Sequence, residues 1–186
     1  MTAPPEAARP PIALRPMQEA DVALLHGWLQ RPHVRQWWGD EDAGITLAQA
    51  RERYAPRVQA QGGVTPYIVC DDGVPIGYAQ SYVALGSGGG WWEDETDPGV
   101  RGIDQFIGEA ALLGRGLGTR MVAALLARLF ADPVVTRVQT DPDPANARAI
   151  RCYEKAGFRR VREIVTPDGP ALYMLRERPV PEGVAR

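Results

Sequence analysis

A glycine-rich segment leads directly into an amphipathic helix in the second half of the chain. Three glycines, Gly114, Gly116 and Gly118, fall within five residues, and from Leu117 to Leu129 an apolar residue recurs at every fourth position. This stripe is typical of a helix packed on a sheet. Glycine lets a backbone approach a ligand closely, and the N–H groups of a first helical turn favour an anion. The segment therefore predicts a helix on a sheet with an anion cradle at its start.

The glycine run differs from two other phosphate-binding motifs. Thr119 stands where the dinucleotide-binding fingerprint needs its last glycine, and no Gly-Lys-Ser/Thr sequence is present as in an ATP-binding P-loop. A nicotinamide site and an ATP site are therefore disfavoured. An ordinary loop at the start of a helix stays open as an alternative.

The other hydrophobic patterns predict strands and helices in the order βααβββαβαββ, a mixed sheet with helices on its faces. A T-x-x-Q capping box at Thr46 and Gln49 predicts one helix start, and Asp71-Asp72-Gly73 predicts a hairpin turn. The predicted strands are 12–15, 64–70, 76–85, 102–107, 134–140, 158–165 and 171–177. The predicted helices are 20–29, 46–57 (ending near Pro56), one from 117 onward, and 145–156.

Composition bounds the class of protein. The 186 residues, 45% of them hydrophobic, predict one domain over 12–178 between flexible segments 1–11 and 179–186. With 21 Lys and Arg against 23 Asp and Glu, the chain lacks the basic excess of a nucleic-acid-binding protein. No apolar run approaches the roughly 20 residues that span a bilayer, and residues 1–11 lack the apolar stretch of a secretory signal. We therefore expect a cytoplasmic protein without nucleic-acid or membrane partners.

Few residues of the chain suit metal, disulfide or serine chemistry. Cys70 and Cys152 with His26 and His33 form no zinc-site spacing, so no metal is expected and the thiols are predicted to be reduced. No serine lies in a G-x-S-x-G elbow, which disfavours a serine hydrolase.

The predicted helix at 145–156 carries an unusual polar face. Asn146, Ala149 and Tyr153 are three and four residues apart, so they share one face of the helix. That face presents an amide, a small residue and a phenol instead of apolar bulk, which predicts a ligand-binding surface.

Together these motifs resemble a known superfamily. The glycine run, a strand and then N-x-x-A-x-x-x-Y-x-x-x-G-F from Asn146 to Phe158 look like the coenzyme A-binding core of the GNAT N-acetyltransferases. Over about 12–176 the chain is further similar to the bacterial aminoglycoside 6′-N-acetyltransferases. The segments that carry this likeness are Trp37-Trp38-Gly39, 64–68, 75–82, 96–105 and 166–170.

The resemblance implies a fold and an activity. The fold would be the α/β (α+β) GNAT fold, a mixed, mostly antiparallel sheet of about seven strands with helices on both faces. The activity would be acetyl-CoA-dependent acetylation of the 6′-amino group of aminoglycoside antibiotics, which confers resistance. Cys152 lies about 100° around the helix from Tyr153 and so should not share the thioester pocket, which predicts direct transfer without an acetyl-cysteine intermediate. Acetyl-CoA would be the cosubstrate and a polycationic aminoglycoside the small-molecule partner, and the protein would be a monomer or a weak homodimer.

The resemblance also assigns roles to residues. Asp104 would take the proton of the amine, and Tyr153 would protonate the departing sulfur. Alternatives stay open: Asp104 could be a structural carboxylate at a strand end, Tyr153 a buried structural tyrosine, and Asp141 a turn or cap residue. The cofactor would be bound by Ile103, Gln105, Phe106, Ile107, Arg115, Gly116, Leu117, Gly118, Thr119, Arg120, Asn146 and Ala149, with backbone N–H groups of 103–107 polarising the carbonyl. The substrate would be bound by Trp38, Tyr54, Gln80, Trp91, Glu93, Asp141 and Asp168.

Two physical features fit a polycationic substrate. Residues 93–104 hold five acidic side chains against Arg101 alone, a local net charge of -4, whereas the whole chain carries -2. A merely solvated acidic loop is the alternative. Trp38, Trp91 and Trp92 offer flat surfaces for sugar rings or ammonium groups, or else pack in the core. If the 91–92 segment is extended, at most one of its two tryptophans faces the site.

Departures from the family leave the preferred drug open. Leu113 replaces a Gln or Arg that many superfamily members carry, Gly89 replaces an Asp of close relatives, and Phe106-Ile107 replaces a smaller pair. Two other functions compete with drug acetylation. One is a GNAT enzyme acting on another amine (a polyamine, a protein N-terminus or a siderophore precursor), and the other is a non-catalytic protein that sequesters polycations.

Overall fold

A single seven-stranded sheet organises the chain, and it matches the predicted fold class. The structure is a computed structural model that describes residues 11–39, 42, 44–59, 61 and 63–180. Most of the predicted flexible ends, 1–10 and 181–186, lies outside the described residues. The strands are β1 Ala13–Pro16, β2 Val64–Asp71, β3 Val74–Val83, β4 Val100–Ile107, β5 Arg137–Thr140, β6 Arg159–Thr166 and β7 Gly169–Glu177.

Five α-helices accompany the strands within the described part of the chain: α1 Val22–Leu29, α2 Pro32–Arg35, α3 Leu47–Val58, α4 Leu117–Phe130 and α5 Ala147–Lys155. The predicted capping box is present, since the Thr46 side chain accepts from Gln49 N and the Gln49 side chain accepts from Thr46 N. The short helix α2 was not predicted from the sequence. Pro56 does not end α3, which continues to Val58.

One predicted strand is wrong at its start. The alternation of 134–140 predicted a strand from Val134, but β5 begins only at Arg137. Val135 N instead bonds back to Asp132 O, and Thr136 N bonds to Gly99 O. The first part of the predicted strand is thus an irregular connection from α4 into the sheet.

The sheet order is β1-β2-β3-β4-β5-β7-β6, and the β4–β5 pair is parallel whereas the other neighbouring pairs are antiparallel. Pairing of β4 with β5 covers only Val100–Gly102 against Arg137–Gln139 among the described residues. Beyond Gly102, β4 continues to Ile107 in pairing with β3 alone. The two parallel strands therefore separate, and the outer half of β4 is open toward β5.

Two apolar cores cover the two faces of the sheet. Helices α4 and α5 pack on one face through a cluster that includes Met121, Leu125, Ile150 and Tyr153. We refer to this side as the α4–α5 face. The α1–α3 face is covered by a second cluster, which includes Leu25, Leu29, Ala50, Tyr54 and Tyr78. Each large apolar side chain buried here contributes about 1.5–3 kcal/mol to folding.

The helices of the described residues include none that is both long enough and apolar enough to cross a bilayer.

Candidate active site

The candidate site is built around Asp104 on the α1–α3 face of β4. Gln80 lies opposite it on β3, and its Nε2 donates a 2.8 Å hydrogen bond to Asp104 Oδ2. The Gln80 Oε1 accepts from Tyr78 Oη at 2.8 Å and from an Arg57 nitrogen at 3.0 Å. Because a guanidinium can only donate, it fixes the orientation of the amide and leaves Nε2 for the carboxylate. A chain of hydrogen bonds from Arg57 on α3 through Gln80 on β3 therefore holds Asp104 at a defined position.

Two further carboxylates share the electrostatic environment of Asp104. Burial, followed by the charges of Asp104 and Asp168, raises the pKa of Asp141 to about 8. Burial also raises the pKa of Asp104, with the carboxylate of Asp168 acting in the same direction, whereas the Gln80 hydrogen bond and Arg57 oppose it. A desolvated carboxylate beside other negative charges is stabilised in its ionised form by an approaching cation. The predicted trio Asp104, Asp141 and Asp168 is thus brought together.

Asp168 reaches this group from the turn between β6 and β7. A Cβ atom built on Gly39 would lie 3.4 Å from Asp168 Oδ2, so the tip of the β6–β7 hairpin approaches the segment that follows α2. Gly39 has φ +72, in the left-handed region. The hairpin and this segment therefore close one end of the site.

An aromatic wall adjoins the carboxylates. The Trp38 ring contacts Phe106 edge-on, with centroids 4.8 Å apart, and Tyr78 at 5.6 Å. Tyr54 is fully buried, accepts a 3.4 Å hydrogen bond from Trp38 Nε1 and donates to Asp42 Oδ2 at 3.0 Å. Tyr54 therefore meets the site through Trp38, and the predicted direct contact of Tyr54 with a substrate stays a prediction.

The loop after β3 places both of its tryptophans on one groove. Trp92 has φ +52, so the segment is not extended and the alternation expected for a strand does not apply. Its Nε1 donates a 3.0 Å hydrogen bond to Tyr82 Oη, and its ring lies 5.4 Å from that of Tyr173. Trp91, Trp92 and Glu93 line a groove of about 450 Å³ beside the outer strands.

Part of the acidic run in this loop has a structural role. Glu95 pairs with Arg137 at 2.8 Å, and Asp97 accepts a 2.6 Å hydrogen bond from Thr136 Oγ1. These contacts tie the loop to β5 and to the residue before it. The expected local charge of -4 is therefore partly neutralised, and the exposed acidic side chains of the loop are those that precede Glu95.

On the opposite face, α4 and α5 form a cleft of about 400 Å³ around the glycine run. Gly116 is the N-cap of α4 at φ +78, and the first helical N–H to bond back is that of Arg120, to Gly116 O. The N–H groups of the first turn thus have no intrahelical acceptor, as an anion site requires. The lining residues are Ile107, Leu113, Gly114, Gly116, Leu117, Gly118, Thr119, Ala147, Arg148, Arg151, Cys152 and Lys155.

Helix α5 adds positive charge at residues that are not among the predicted cofactor contacts. Arg148, Arg151 and Lys155 are three and four residues apart, so they share one face of α5, and all three line the cleft. Their spacing of three and four residues is visible in the sequence and predicts a basic helix face. A cation-lined cleft with free helical N–H groups fits a pyrophosphate-containing cofactor.

Cys152 also lines the cleft, against Gly118. A Cβ atom on Gly118 would lie 3.2 Å from Cys152 Sγ, so the glycine permits the close approach of α4 and α5. Burial raises the pKa of the Cys152 thiol.

Several predicted cofactor residues have other positions or partners. Arg120 pairs with Asp71 at 3.0 Å, the Asn146 side chain accepts from Ala149 N at 3.1 Å as the N-cap of α5, and Phe106 packs on the α1–α3 face. Arg115 is exposed, Ile103 is fully buried, and Ala149 packs against the core. Their roles toward a cofactor stay predictions.

Tyr153 lies between the cleft and the separated strands. Its side chain is buried, and Gln105 Nε2 donates a 2.9 Å hydrogen bond to its hydroxyl oxygen. Burial raises the pKa of Tyr153. The phenol is therefore protonated at neutral pH and can act as a proton donor.

Comparisons with known proteins agree with this geometry. Residues 17–166 match the family model described as an acetyltransferase (GNAT) domain. The chain is 62% identical over 167 residues to an aminoglycoside N(6′)-acetyltransferase type 1 of Klebsiella pneumoniae, covering 90% of this chain and 83% of that protein. It is 32% identical to a lysine N-acyltransferase of Mycolicibacterium paratuberculosis, covering 89% of this chain and 74% of the relative.

A solved structure, described as AAC(6′)-Ib in complex with ribostamycin and coenzyme A, superposes with a TM-score of 0.87 at 61% identity and covers 91% of this chain and 94% of that chain. The chain therefore belongs to the GNAT acetyltransferases and, within them, to the aminoglycoside N(6′)-acetyltransferases.

Proposed function

We propose that this protein transfers the acetyl group of acetyl-CoA to the 6′-amino group of aminoglycosides and so confers resistance to them. The observation that carries the proposal is the cluster of Asp104, Asp141 and Asp168, in which, in addition to burial, the charges of Asp104 and Asp168 raise the pKa of Asp141 and the charge of Asp168 raises that of Asp104. A polycation relieves that repulsion. A solved relative at 61% identity is described in complex with ribostamycin and coenzyme A, which supports the same pair of ligands here.

The cleft between α4 and α5 would hold the cofactor. The first-turn N–H groups of α4 would bind its pyrophosphate, and Arg148, Arg151 and Lys155 would add charge complementarity. Acetyl-CoA supplies the acetyl group as an activated thioester. Because β4 and β5 separate beyond Gly102, the unpaired edge of β4 is available to backbone contacts with the pantetheine arm.

Asp104 and Tyr153 would divide the proton transfers. Asp104, whose pKa burial raises above that of an ordinary aspartate, would take a proton from the ammonium group so that the nitrogen lone pair can form the C–N bond. Tyr153 would donate its proton to the sulfur as the C–S bond breaks. Once the C–N bond has formed, the nitrogen loses a second proton, which balances the proton that Tyr153 must regain. Overall, an ammonium and a thioester give an acetamide, a thiol and one proton released to solvent.

Thiol release from acetyl-CoA with kanamycin, ribostamycin, tobramycin and gentamicin tests the proposal, followed by NMR location of the acetyl group. We expect turnover and acetylation at the 6′ nitrogen. Paromomycin, which carries a hydroxyl at 6′, is the matched control and should not be turned over. Turnover of paromomycin by N-acetylation elsewhere would contradict the assigned position.

Lysine and spermidine test the competing activity on other amines. The 32% identity to a lysine N-acyltransferase makes this the relevant alternative. We expect kcat/KM for these amines to lie far below that for kanamycin, because neither presents a rigid array of amines to three carboxylates. A higher kcat/KM for either amine would overturn the proposal in favour of the alternative.

A further inference from the structure

The side chain of Gln105 bridges β4 and α5. Its Nε2 donates a 2.9 Å hydrogen bond to the hydroxyl oxygen of Tyr153, a residue 48 positions later in the chain. Tyr153 is only 4% exposed, and its ring also contacts Phe158 with centroids 5.3 Å apart. The phenol is therefore fixed at its ring by packing and at its oxygen by Gln105.

The direction of this hydrogen bond determines where the phenol proton can go. Because the oxygen of Tyr153 accepts from Gln105, its own O–H must point away from the amide nitrogen. Hydrogen bonds from Thr140 and Gln105 lower the pKa of Tyr153 against the larger effect of burial. Donors on the oxygen stabilise the phenolate that is left when the proton departs.

The other end of the Gln105 amide is unusual. Its Oε1 is buried and has no hydrogen-bond partner within the described part of the chain. Unsatisfied buried acceptors are costly and rare in folded proteins. If the amide were flipped by 180°, Oε1 would accept a hydrogen bond from the Tyr153 hydroxyl. The phenol proton would then point toward Gln105, so the two amide orientations predict opposite effects of Gln105 on proton donation.

We propose that Gln105 is a positioning residue for acetyl transfer, which holds the Tyr153 oxygen so that the phenol proton is directed to the departing sulfur. The inference rests on the proposed function. In the step concerned, the O–H bond of Tyr153 breaks as the S–H bond forms, and the phenolate regains a proton from solvent.

A double-mutant cycle in kcat is the first test. Gln105→Leu should lower kcat roughly tenfold, the scale for losing one hydrogen bond that orients a reacting group. Because the expected contact of residue 105 with the cofactor is made by its backbone N–H, the substitution should leave the KM for kanamycin and the calorimetric Kd for coenzyme A within about twofold. In a Tyr153→Phe background, the same substitution should have no further effect on kcat, since the atom that it positions is gone. Additive losses would overturn the proposal.

The isosteric variant Gln105→Glu separates the two amide orientations. A carboxylate can only accept, so it should draw the Tyr153 proton toward itself and lower kcat at neutral pH at least as far as Gln105→Leu does. As the pH falls and the introduced carboxyl becomes protonated, kcat should recover relative to the Gln105→Leu variant. A kcat for Gln105→Glu that equals the wild-type value at high pH and falls relative to wild type as the pH falls would show that the amide accepts the proton, and the proposal would fail.

Gln139→Leu is the matched control. Gln139 is also a buried amide bonded to a tyrosine, because its Oε1 accepts from Tyr173 Oη at 3.0 Å. It neighbours Val138 of the α4–α5 core and so faces the other side of the sheet. The effect of Gln139→Leu on kcat should add to that of Tyr153→Phe. Additivity here and non-additivity for Gln105→Leu would distinguish positioning of Tyr153 from the general cost of losing a buried amide.

A measurement without substrate completes the test. In the ligand-free protein, Gln105→Leu and Tyr153→Phe should be non-additive in the urea unfolding midpoint, because the hydrogen bond is already formed. Additivity there would contradict a preformed contact. Failure of the proposed function is distinguishable from failure of this inference, because the wild-type protein would then leave aminoglycosides unmodified. In that case, the double-mutant cycle in kcat would be measured with whichever amine the wild-type protein acetylates.

Discussion

Asp104 and Gln105 are consecutive residues of β4 whose side chains leave the sheet on opposite faces. Asp104 accepts from Gln80 on the α1–α3 face, whereas Gln105 donates to Tyr153 on the α4–α5 face. The proposed base and acid therefore lie on two sides of one strand. They are not separated by a continuous strand pair, because β4 and β5 pair only up to Gly102, and, in addition to burial, the charge of Asp104 raises the pKa of Tyr153 across this gap.

Replacement of Asp104 tests its role as the proton acceptor. Asp104→Asn keeps the shape of the side chain but removes the base, so kcat/KM for kanamycin should fall by about 10²- to 10³-fold. Steady-state thiol release at several pH values measures this loss. Glu52→Gln removes the same charge from an exposed position on α3 and is the control, with an expected change below about twofold. Activity of Asp104→Asn close to wild type would remove Asp104 from the chemistry.

The raised pKa of Asp141 makes the stability of the ligand-free protein depend on pH. The pKa is about 8 in the folded protein against 3.8 for an ordinary aspartate, so the folded state binds more protons between these values. Stability from the protonated group is therefore fully present below about pH 4 and is lost as the pH rises toward 8. Asp141→Asn should raise the free energy of unfolding at pH 8 by at least about 1 kcal/mol and change it little near pH 4.

Urea unfolding of the wild type and Asp141→Asn across this pH range provides the measurement. The control is Asp143→Asn, which replaces an exposed aspartate two residues further on and retains an acceptor for the N–H of Ala145. We expect no pH-dependent gain from it. A gain from Asp141→Asn that is equal at pH 4 and pH 8 would show that packing, not ionisation, is responsible.

The basic face of α5 predicts a salt-dependent cofactor affinity. Arg151 is exposed and lines the cleft, so Arg151→Gln should raise the calorimetric Kd for coenzyme A by roughly three- to tenfold at low salt. The difference from wild type should shrink as salt is added, because ions screen exposed charges. Arg159→Gln alters an exposed arginine of β6 outside this cleft and should have no effect. An equal rise of the Kd for coenzyme A in both variants would indicate that only the net charge of the protein matters.

Gly89 predicts a difference from close relatives in substrate affinity. It has φ +64, and a Cβ atom there would lie 3.8 Å from a ring carbon of Trp91. Asp and Asn tolerate this left-handed backbone better than most residues. Gly89→Asp should therefore restore a carboxylate beside the groove and lower the KM for kanamycin, whereas Gly89→Asn should leave it unchanged. A KM that does not fall for Gly89→Asp, or falls equally for both, would argue against a charge contact.

Much of the fold could be predicted because its signals are local. The capping box at Thr46 and the turn at Gly73 depend on residues within a few positions of each other, and both formed as predicted. The glycine run before α4 likewise combines a left-handed backbone at Gly116 with a helix start. The false start of β5 at Val134 arose because alternation alone does not show whether a partner strand is present.

The sequence by itself determined the mixed sheet with helices on both faces and the start of α4 at the glycine run. Only the tertiary structure decided that Gln80 and Arg57 orient Asp104, that Gln105 reaches Tyr153, and that Glu95 anchors its loop to β5. The physical reason is the sequence separation over which each kind of interaction acts. Periodicity and capping act over a few residues, whereas these contacts join positions 23 to 48 residues apart and exist only once strand register has placed them together.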